Sequence, residues 1–242
     1  MAVASKKRGA PKQTRAEKSE AIRQAIFFAA AKVVGEDGYA DASISKITAQ
    51  AHVAHGTFYN YFESRQDLFG QLLPHLGQLL LNYVTEQVAA VADPVLREEW
   101  RLAAWFNFLR IHPEFFRILN EAEVFAPEVF RRHVTAFGEG YLRALQRARH
   151  RGELTGFEPQ ELEPLAYILL AARVYLTSRY VQGGASVPEF ALSAYTKLIR
   201  HGLFAGKPEG IGQAQSGRKT AAARRSNGKR GIVNAKPVAP RP

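Results

Sequence analysis

The sequence contains no cysteine among its 242 residues. Disulfide bonds, thiolate zinc sites and a cysteine nucleophile are therefore excluded, and nothing points to an oxidising compartment. Long apolar runs are also missing, because the longest one, LAYILLAARVYL, is short and is interrupted by Arg173. No apolar segment follows the basic residues near the start, so we expect neither a signal peptide nor a membrane span. These absences favour a cytoplasmic protein.

Signatures of common catalytic and metal sites are scarce as well. The sequence has no Gly-rich phosphate loop, no dinucleotide fingerprint and no Gly-x-Ser-x-Gly elbow. Carboxylates are scattered, and the seven histidines show no paired i, i+4 spacing of the kind that binds a metal ion. The sequence therefore predicts a protein that is not an enzyme and that carries no metal or other cofactor.

Positive charge is abundant and lies at the two ends of the chain. Residues 1–18 carry a net charge of +5 and residues 206–242 a net charge of +8, whereas residues 19–205 carry −2. The C-terminal segment is rich in Gly, Ala, Pro and Ser and lacks apolar periodicity, so it is predicted to be disordered. Such a tail attracts nucleic acid without reading its sequence, or it is simply a solvated extension.

Between the tails, apolar residues recur at helical spacing, and the alternation typical of strands is absent. Thr14 and Glu17 form a predicted capping box for a first helix that ends at Gly38. Ser43 is the predicted N-cap of a short second helix. The chain is therefore predicted to be all-α.

A long helix is predicted to open with a capping box at Ser64 and Asp67, and Pro74 is expected to bend this helix without ending it. Prolines near helix starts mark most of the later elements. The predicted helices from here onward are 64–90, 95–111, 113–121, 127–150, 159–181 and 188–204. The acidic residues after 120 are predicted to begin a solvated turn.

The stretch AHVAHGTFYNYFESRQDLFG at 51–70 is unusually aromatic. Residues four apart share a helix face, so Phe58 and Phe62 are predicted to enter a small core with Ile47, Val53 and Leu68. The other faces hold polar and aromatic side chains suited to phosphates and base edges, and Gly56 allows close backbone approach. These side chains are Thr57, Tyr59, Asn60 and Tyr61. The alternative is that the tyrosines cap a core by their ring edges.

Two short helices joined by a tight turn, after a longer helix, have the layout of a helix-turn-helix. The segment 14–69 resembles the DNA-binding domain of the TetR family of bacterial transcriptional regulators, through GEDGYADASISKITAQA, GTFYNYF and ESRQDLF in this order. The resemblance implies that GTFYNYF lies on the recognition helix. With neighbouring cations included, the predicted DNA-binding residues are Ser43, Lys46, His55, Gly56, Thr57, Tyr59, Asn60, Tyr61 and Arg65.

The sequence departs from the family pattern in the turn before this helix. His52 stands where glycine is usual, so it is predicted to adopt a left-handed conformation at a cost of about 1 kcal/mol. Ala54 and His55 replace a common Ser-Lys pair, so a capping hydroxyl and a fixed charge are missing. Phosphate attraction is therefore expected to depend more on Arg65, Lys46 and the N-terminal arm.

Beyond residue 70 the resemblance is one of architecture. It implies that the last two helices pair across a two-fold axis to form a homodimer, through Leu165, Ile168, Leu169, Leu192, Tyr195 and Leu198. The alternative is that these residues only close the core of the monomer.

The aromatic-rich middle of the chain is the predicted place for a small-molecule effector, which we expect to be largely apolar, such as an acyl or aromatic acid. The alternative is that these aromatic residues form ordinary core. The candidate ligand-binding residues are Trp105, Phe108, Arg110, Phe116, Arg117 and Asn120.

The resulting hypothesis is a homodimeric, ligand-responsive regulator, a repressor in the usual mode of the family, that binds a palindromic double-stranded DNA operator in the bacterial nucleoid. Its predicted domains are a flexible basic arm at 1–13, a helix-turn-helix domain at 14–63, a ligand-binding and dimerisation domain at 64–205 and a disordered basic tail at 206–242. Two rivals stay open: a helical small-molecule-binding protein with only non-specific DNA affinity, and a chromatin-like accessory protein.

Overall fold

The computed structural model describes residues 14–181 and 187–202, and within these ranges it contains helices and no strand. The all-α class is therefore confirmed. None of the described helices is long and apolar enough to cross a membrane. The helices are α1 (Arg15–Asp41), α2 (Ile44–Gln50), α3 (His55–Phe58), α4 (Arg65–Val88), α5 (Pro94–Ile111), α6 (Glu114–Phe125), α7 (Pro127–His150), α8 (Leu162–Tyr180) and α9 (Glu189–His201), with a short 3-10 turn at Pro159–Glu161 before α8.

The predicted start of α1 is confirmed by its hydrogen bonds. The Thr14 hydroxyl accepts the Glu17 N–H at 3.2 Å, and the Glu17 carboxylate accepts the Thr14 N–H at 2.7 Å, so the capping box is complete. At Gly38 the backbone takes a φ of +85° and breaks the helix. One further turn then continues to Asp41.

The start of α4 differs slightly from the predicted capping box. The Ser64 hydroxyl accepts the Asp67 N–H at 3.0 Å as expected, but the Asp67 carboxylate accepts the N–H of Glu63, one residue earlier than predicted. The helix continues through Pro74 to Val88, so the proline does not end it.

The predicted end of α6 at residue 121 is wrong, because the helix continues to Phe125. Ala122 is fully buried and extends the buried face of Phe115 and Ile118 by one turn. The acidic residues that were expected to begin a solvated turn lie instead within the helix.

Two clusters of buried side chains hold the helices together. The first joins α1–α6 with the start of α7, and it contains most of the large buried rings. The second joins α5, α7, α8 and α9, and its buried members are Leu102, Tyr141, Leu145, Leu162, Ala166, Leu169 and Tyr195. Helix α1 packs against both α4 and α6, so the predicted helix-turn-helix part and the rest of the described chain are in direct contact.

The second cluster corrects part of the predicted dimer interface. Leu169 and Tyr195 are 6% and 5% exposed inside this chain, so they are not available to a second copy. Leu165 and Leu192 are half-buried against the same cluster, since both lie one helical turn from its members. The remaining two predicted residues, Ile168 and Leu198, are exposed.

Two predicted segments lie outside the described residues, namely the basic arm at 1–13 and the basic tail at 206–242. The predicted division between residues 63 and 64 stays a prediction. The described helices up to Arg200 belong to one compact unit.

Candidate nucleic-acid interface

The turn between α2 and α3 is fixed by the hydrogen bonds of a Schellman motif. The His52 N–H donates to the Ala49 carbonyl at 3.2 Å, and the Val53 N–H donates to the Thr48 carbonyl at 3.0 Å. His52 has a φ of +55°, which confirms the predicted left-handed conformation. The Ser43 hydroxyl caps the other end of α2 by accepting the Lys46 N–H at 3.2 Å.

Helix α3 rests on two buried phenyl rings. Phe58 and Phe62 are at most 1% exposed, and their ring centroids lie 5.5 Å apart. The edge of Phe62 meets Phe27 of α1 at 5.2 Å. The predicted core is confirmed, with Ile47 and Leu68 fully buried beside these rings. One side of α3 is thereby fixed against the protein.

The opposite side of α3 is exposed. Tyr59 is 53% exposed, and its ring contacts that of His55 at 5.7 Å. His55, Gly56 and Asn60 are exposed as well, and a Cβ built on Gly56 would meet nothing within 4 Å in the described chain. Ala54 supplies no side-chain cap, as predicted. The packing of the described residues therefore gives this glycine and this tyrosine no internal role.

Two of the predicted DNA-binding side chains on and directly after α3 are less exposed. Thr57 and Tyr61 are half-buried, and the Ser19 hydroxyl of α1 donates to the Tyr61 hydroxyl at 3.4 Å. Tyr61 also packs on the first cluster. Its ring thus contributes to the core, as the alternative interpretation held, and a role of its hydroxyl in DNA binding stays a prediction.

The two cations expected to attract phosphates have internal partners. Lys46 lies 2.7 Å from the Asp37 carboxylate, and this hydrogen bond raises the pKa of the lysine. Arg65 donates to the backbone carbonyls of Ala40 and Ala42 at 3.2 and 2.8 Å. Their hydrogen bonds are directed at the end of α1, and their role in DNA binding stays a prediction.

The six predicted effector-binding residues do not come together. Trp105 and Phe108 are buried in the first cluster, and Phe116 is half-buried against it. Arg110 and Asn120 are exposed, and Arg110 donates to the Asn107 side chain on its own helix. The predicted polar groups therefore do not face the predicted apolar ones.

Arg117, the sixth of these residues, lies at the contact between α6 and α1. Its guanidinium donates to the carbonyls of Gly35 and Glu36 and pairs with Glu121 at 2.6 Å. The arginine thus holds the end of α1, and its predicted place beside an effector stays a prediction.

Sequence analysis did not find a buried polar network in the second cluster. Glu98 of α5 accepts from Arg173 of α8 and from the Tyr195 hydroxyl of α9, each at 2.7 Å, and Arg173 also donates to the Tyr141 hydroxyl of α7 at 2.7 Å. Burial raises the pKa of both tyrosines, so both phenols stay protonated. The signal in the sequence was an arginine inside the apolar run LAYILLAARVYL, since a buried cation requires a partner.

Trp105 is linked to this network through its indole nitrogen. Its N–H donates to the Thr177 hydroxyl at 2.9 Å, and Thr177 in turn donates to the Arg173 carbonyl at 2.8 Å. Among the described residues there is no group of three or more potential metal ligands.

Residues 26–72 match the model of the family described as bacterial regulatory proteins, tetR family. Over these residues the chain is similar to the TetR family. The matched residues extend from α1 to α4 and include the complete α2–turn–α3 unit that carries the exposed face described above. The family match and the curated relatives support a DNA-binding transcriptional regulator.

Curated relatives agree with this assignment. The chain is 27% identical over 157 residues to the HTH-type transcriptional repressor DhaR of Mycobacterium sp. strain GP1, covering 62% of this chain and 78% of that protein. It is 41% identical over 56 residues to the fatty acid metabolism regulator protein of Bacillus subtilis strain 168. This second match covers only 23% of this chain and 29% of the relative.

Solved structures share the fold. FadR from Bacillus subtilis in complex with stearoyl-CoA has a TM-score of 0.63 at 19% identity, covering 75% of this chain and all of that one. A putative TetR-family regulator from Syntrophomonas wolfei has a TM-score of 0.65 at 20% identity, covering 76% of this chain and 97% of that one. At these identities the likeness shows the TetR fold.

Proposed function

We propose that this TetR-family regulator is a homodimeric repressor that binds a palindromic operator through the exposed face of α3 and is released by a small, largely apolar effector. The observation that carries the proposal is the two-sided character of α3. Phe58 and Phe62 are buried beneath it, while Tyr59 and Asn60 are exposed above it. A short helix held from one side presents its other side to a major groove.

The test is the double variant Thr57→Ala, Tyr59→Ala in the full chain. We expect its affinity for the operator, taken from the DNA flanking the coding region, to fall by about tenfold or more, because two groups that meet base edges or phosphates are lost. Fluorescence anisotropy with labelled operator, against excess random DNA, measures this affinity. An operator affinity equal to that of the original chain would show that α3 is not the reading surface.

Trp100→Ala is the matched control for this experiment. Trp100 is an aromatic residue on α5 with 46% exposure, close to that of Tyr59, and it lies outside the helix-turn-helix. We expect it to bind the operator like the original chain. The rival of purely non-specific binding predicts that all three proteins bind every DNA sequence alike and lose affinity steeply with salt.

The effector class is proposed from the apolar middle helices and from the relatives. Buried rings of the first cluster lie on α5 (Trp105, Phe108) and α6 (Phe115), a FadR structure of the same fold holds stearoyl-CoA, and one relative is a fatty acid metabolism regulator. We therefore expect stearoyl-CoA to weaken operator binding and coenzyme A alone to leave it unchanged. The same anisotropy assay measures the release, and equal binding with and without stearoyl-CoA would exclude this acyl effector.

A further inference from the structure

The backbone carbonyls at the end of α1 are held by cations from three different helices. We call the segment Gly35–Ala42 the Gly38 turn. Arg117 of α6 donates to the carbonyls of Gly35 and Glu36 at 3.0 and 2.9 Å. Carbonyls at a helix C-terminus carry partial negative charge, so a guanidinium at this place stabilises the end of the helix.

The other two cations come from the helices on either side of α3. Arg65 of α4 holds the carbonyls of Ala40 and Ala42, and Lys46 of α2 donates to the Asp41 carbonyl at 3.2 Å. The Gly38 turn is therefore bonded to α2, α4 and α6 at the same time. Helix α2 begins at Ile44, directly after the turn.

The contact with α6 leaves no spare room. Glu121 accepts the Tyr39 N–H at 2.8 Å while it pairs with Arg117. A Cβ built on Gly38 would lie 2.8 Å from the Arg117 guanidinium and 2.9 Å from the Glu121 carboxylate. Glycine takes this positive φ without strain, and a side chain here would also displace the ends of the Arg117 and Glu121 side chains.

We propose that Arg65, Lys46 and Arg117 are positioning residues for DNA binding, which fix α2 and α3 against α4 and α6 through the Gly38 turn and are not phosphate contacts. Reading base edges requires the recognition helix to be held to a fraction of an ångström. The proposal rests on the proposed function for its DNA readout. It assigns a DNA-binding role to Arg117, which lies on a helix outside the helix-turn-helix.

Salt dependence separates positioning residues from phosphate contacts. The slope of log affinity against log salt is negative, and each lost phosphate contact reduces its magnitude by about 0.9, because one fewer counterion is released. A positioning residue lowers the affinity for the operator and leaves this slope unchanged.

The experiment compares Arg65→Gln and Arg117→Gln in the full chain by operator anisotropy across a salt series. We expect both to lose about tenfold or more in affinity at an unchanged slope. Arg143→Gln is the matched control, because Arg143 pairs with Glu139 at 3.6 Å in a similar i, i+4 arrangement on the exposed face of α7. We expect the control to bind like the original chain.

Two results would overturn the proposal. A slope reduced by about one in Arg65→Gln would make that residue a phosphate contact, and operator binding of Arg117→Gln equal to that of the control would remove the role of the turn. Glu121→Gln is a milder second variant, since its amide oxygen still accepts the Tyr39 N–H. If circular dichroism shows that Arg117→Gln is unfolded, the operator affinity of Glu121→Gln is compared with that of the control in its place.

Hydrogen exchange gives a readout that does not require an operator. We expect amides of α2 and α3 to exchange faster in Arg117→Gln while the global free energy of unfolding changes little. If the original chain binds no palindrome, the proposed function fails, and this measurement still decides whether the turn holds the helices. Unchanged exchange in α2 and α3 would show that it does not.

Discussion

Phe58 and Tyr59 are adjacent residues whose ring centroids lie 5.3 Å apart, yet they face opposite environments. Phe58 is fully buried and Tyr59 is 53% exposed. Helical periodicity alone predicted this difference, because it depends only on residues close in sequence. The partners of Lys46 and Arg65 were not predictable in this way, since they include backbone carbonyls at the end of α1, which any residue type presents.

His133 gives a prediction at the scale of a single residue. Its ring lies where a Cβ on Gly77 of α4 would meet it at 2.7 Å, and its centroid is 4.4 Å from that of Phe137. Burial lowers the pKa of His133 to about 4. As the pH falls below about 6.5, the unfolded chain takes up a proton at this residue that the folded chain does not take up until about pH 4.

The contribution of His133 to the free energy of unfolding is therefore complete above about pH 6.5 and is lost between about pH 6.5 and 4. As the pH falls across this window, we expect the free energy of unfolding of the original chain to decrease by about 2 kcal/mol relative to that of His133→Gln. This value allows for the partial exposure of the ring. Urea denaturation at a series of pH values measures the difference. His150→Gln, at an exposed histidine, is the control. If the difference in free energy of unfolding between the original chain and His133→Gln does not change with pH, the lowered pKa of His133 is contradicted.

At the scale of the element, α3 depends on tertiary contacts. It has only four residues, whereas isolated helices shorter than about 12 residues are marginal in water. Its phenyl rings and the side-chain caps of α2 and α4 are local in sequence, so the helix-turn-helix was predictable from residues 43–69. Helix α6 was less predictable, because its contacts with α1 involve residues about 80 positions apart.

The dependence of α3 on its buried rings gives an element-scale prediction. We expect Phe58→Ala to lower the free energy of unfolding by about 3–5 kcal/mol, since a buried phenyl is lost and a cavity remains. Tyr59→Ala is the neighbouring control, and we expect a change within about 0.5 kcal/mol. Urea denaturation measures both. Equal losses in the two variants would contradict the two-sided description of α3.

At the scale of the whole molecule, the exposed apolar residues of α8 and α9 point to a second copy of the chain. Ile168 and Tyr175 of α8 are 61% and 75% exposed, and Phe190 and Leu198 of α9 are 65% and 41% exposed. Spacings of seven and eight residues place each pair on one face of its helix. Sequence periodicity identified these two helices but not their outward faces, because the buried network on Arg173 decides which side of α8 faces inward.

This arrangement predicts the oligomeric state. We expect the double variant Ile168→Glu, Leu198→Glu to be monomeric by sedimentation equilibrium, because two carboxylates would be buried without partners in the interface. We also expect it to lose affinity for the palindrome, since one half-site is then read alone. Trp100→Glu, at an exposed position of α5, is the control and should stay dimeric. A dimeric Ile168→Glu, Leu198→Glu variant would place the interface elsewhere.

The central claim is that two copies of α3 read one operator about a two-fold axis. Hydroxyl-radical footprinting of the full chain on its operator tests this claim most directly. We expect two protected regions related by a two-fold axis, with recognition helices in successive major grooves about 34 Å apart or at a related spacing. A single or asymmetric protected region on DNA that the protein binds specifically would contradict the account.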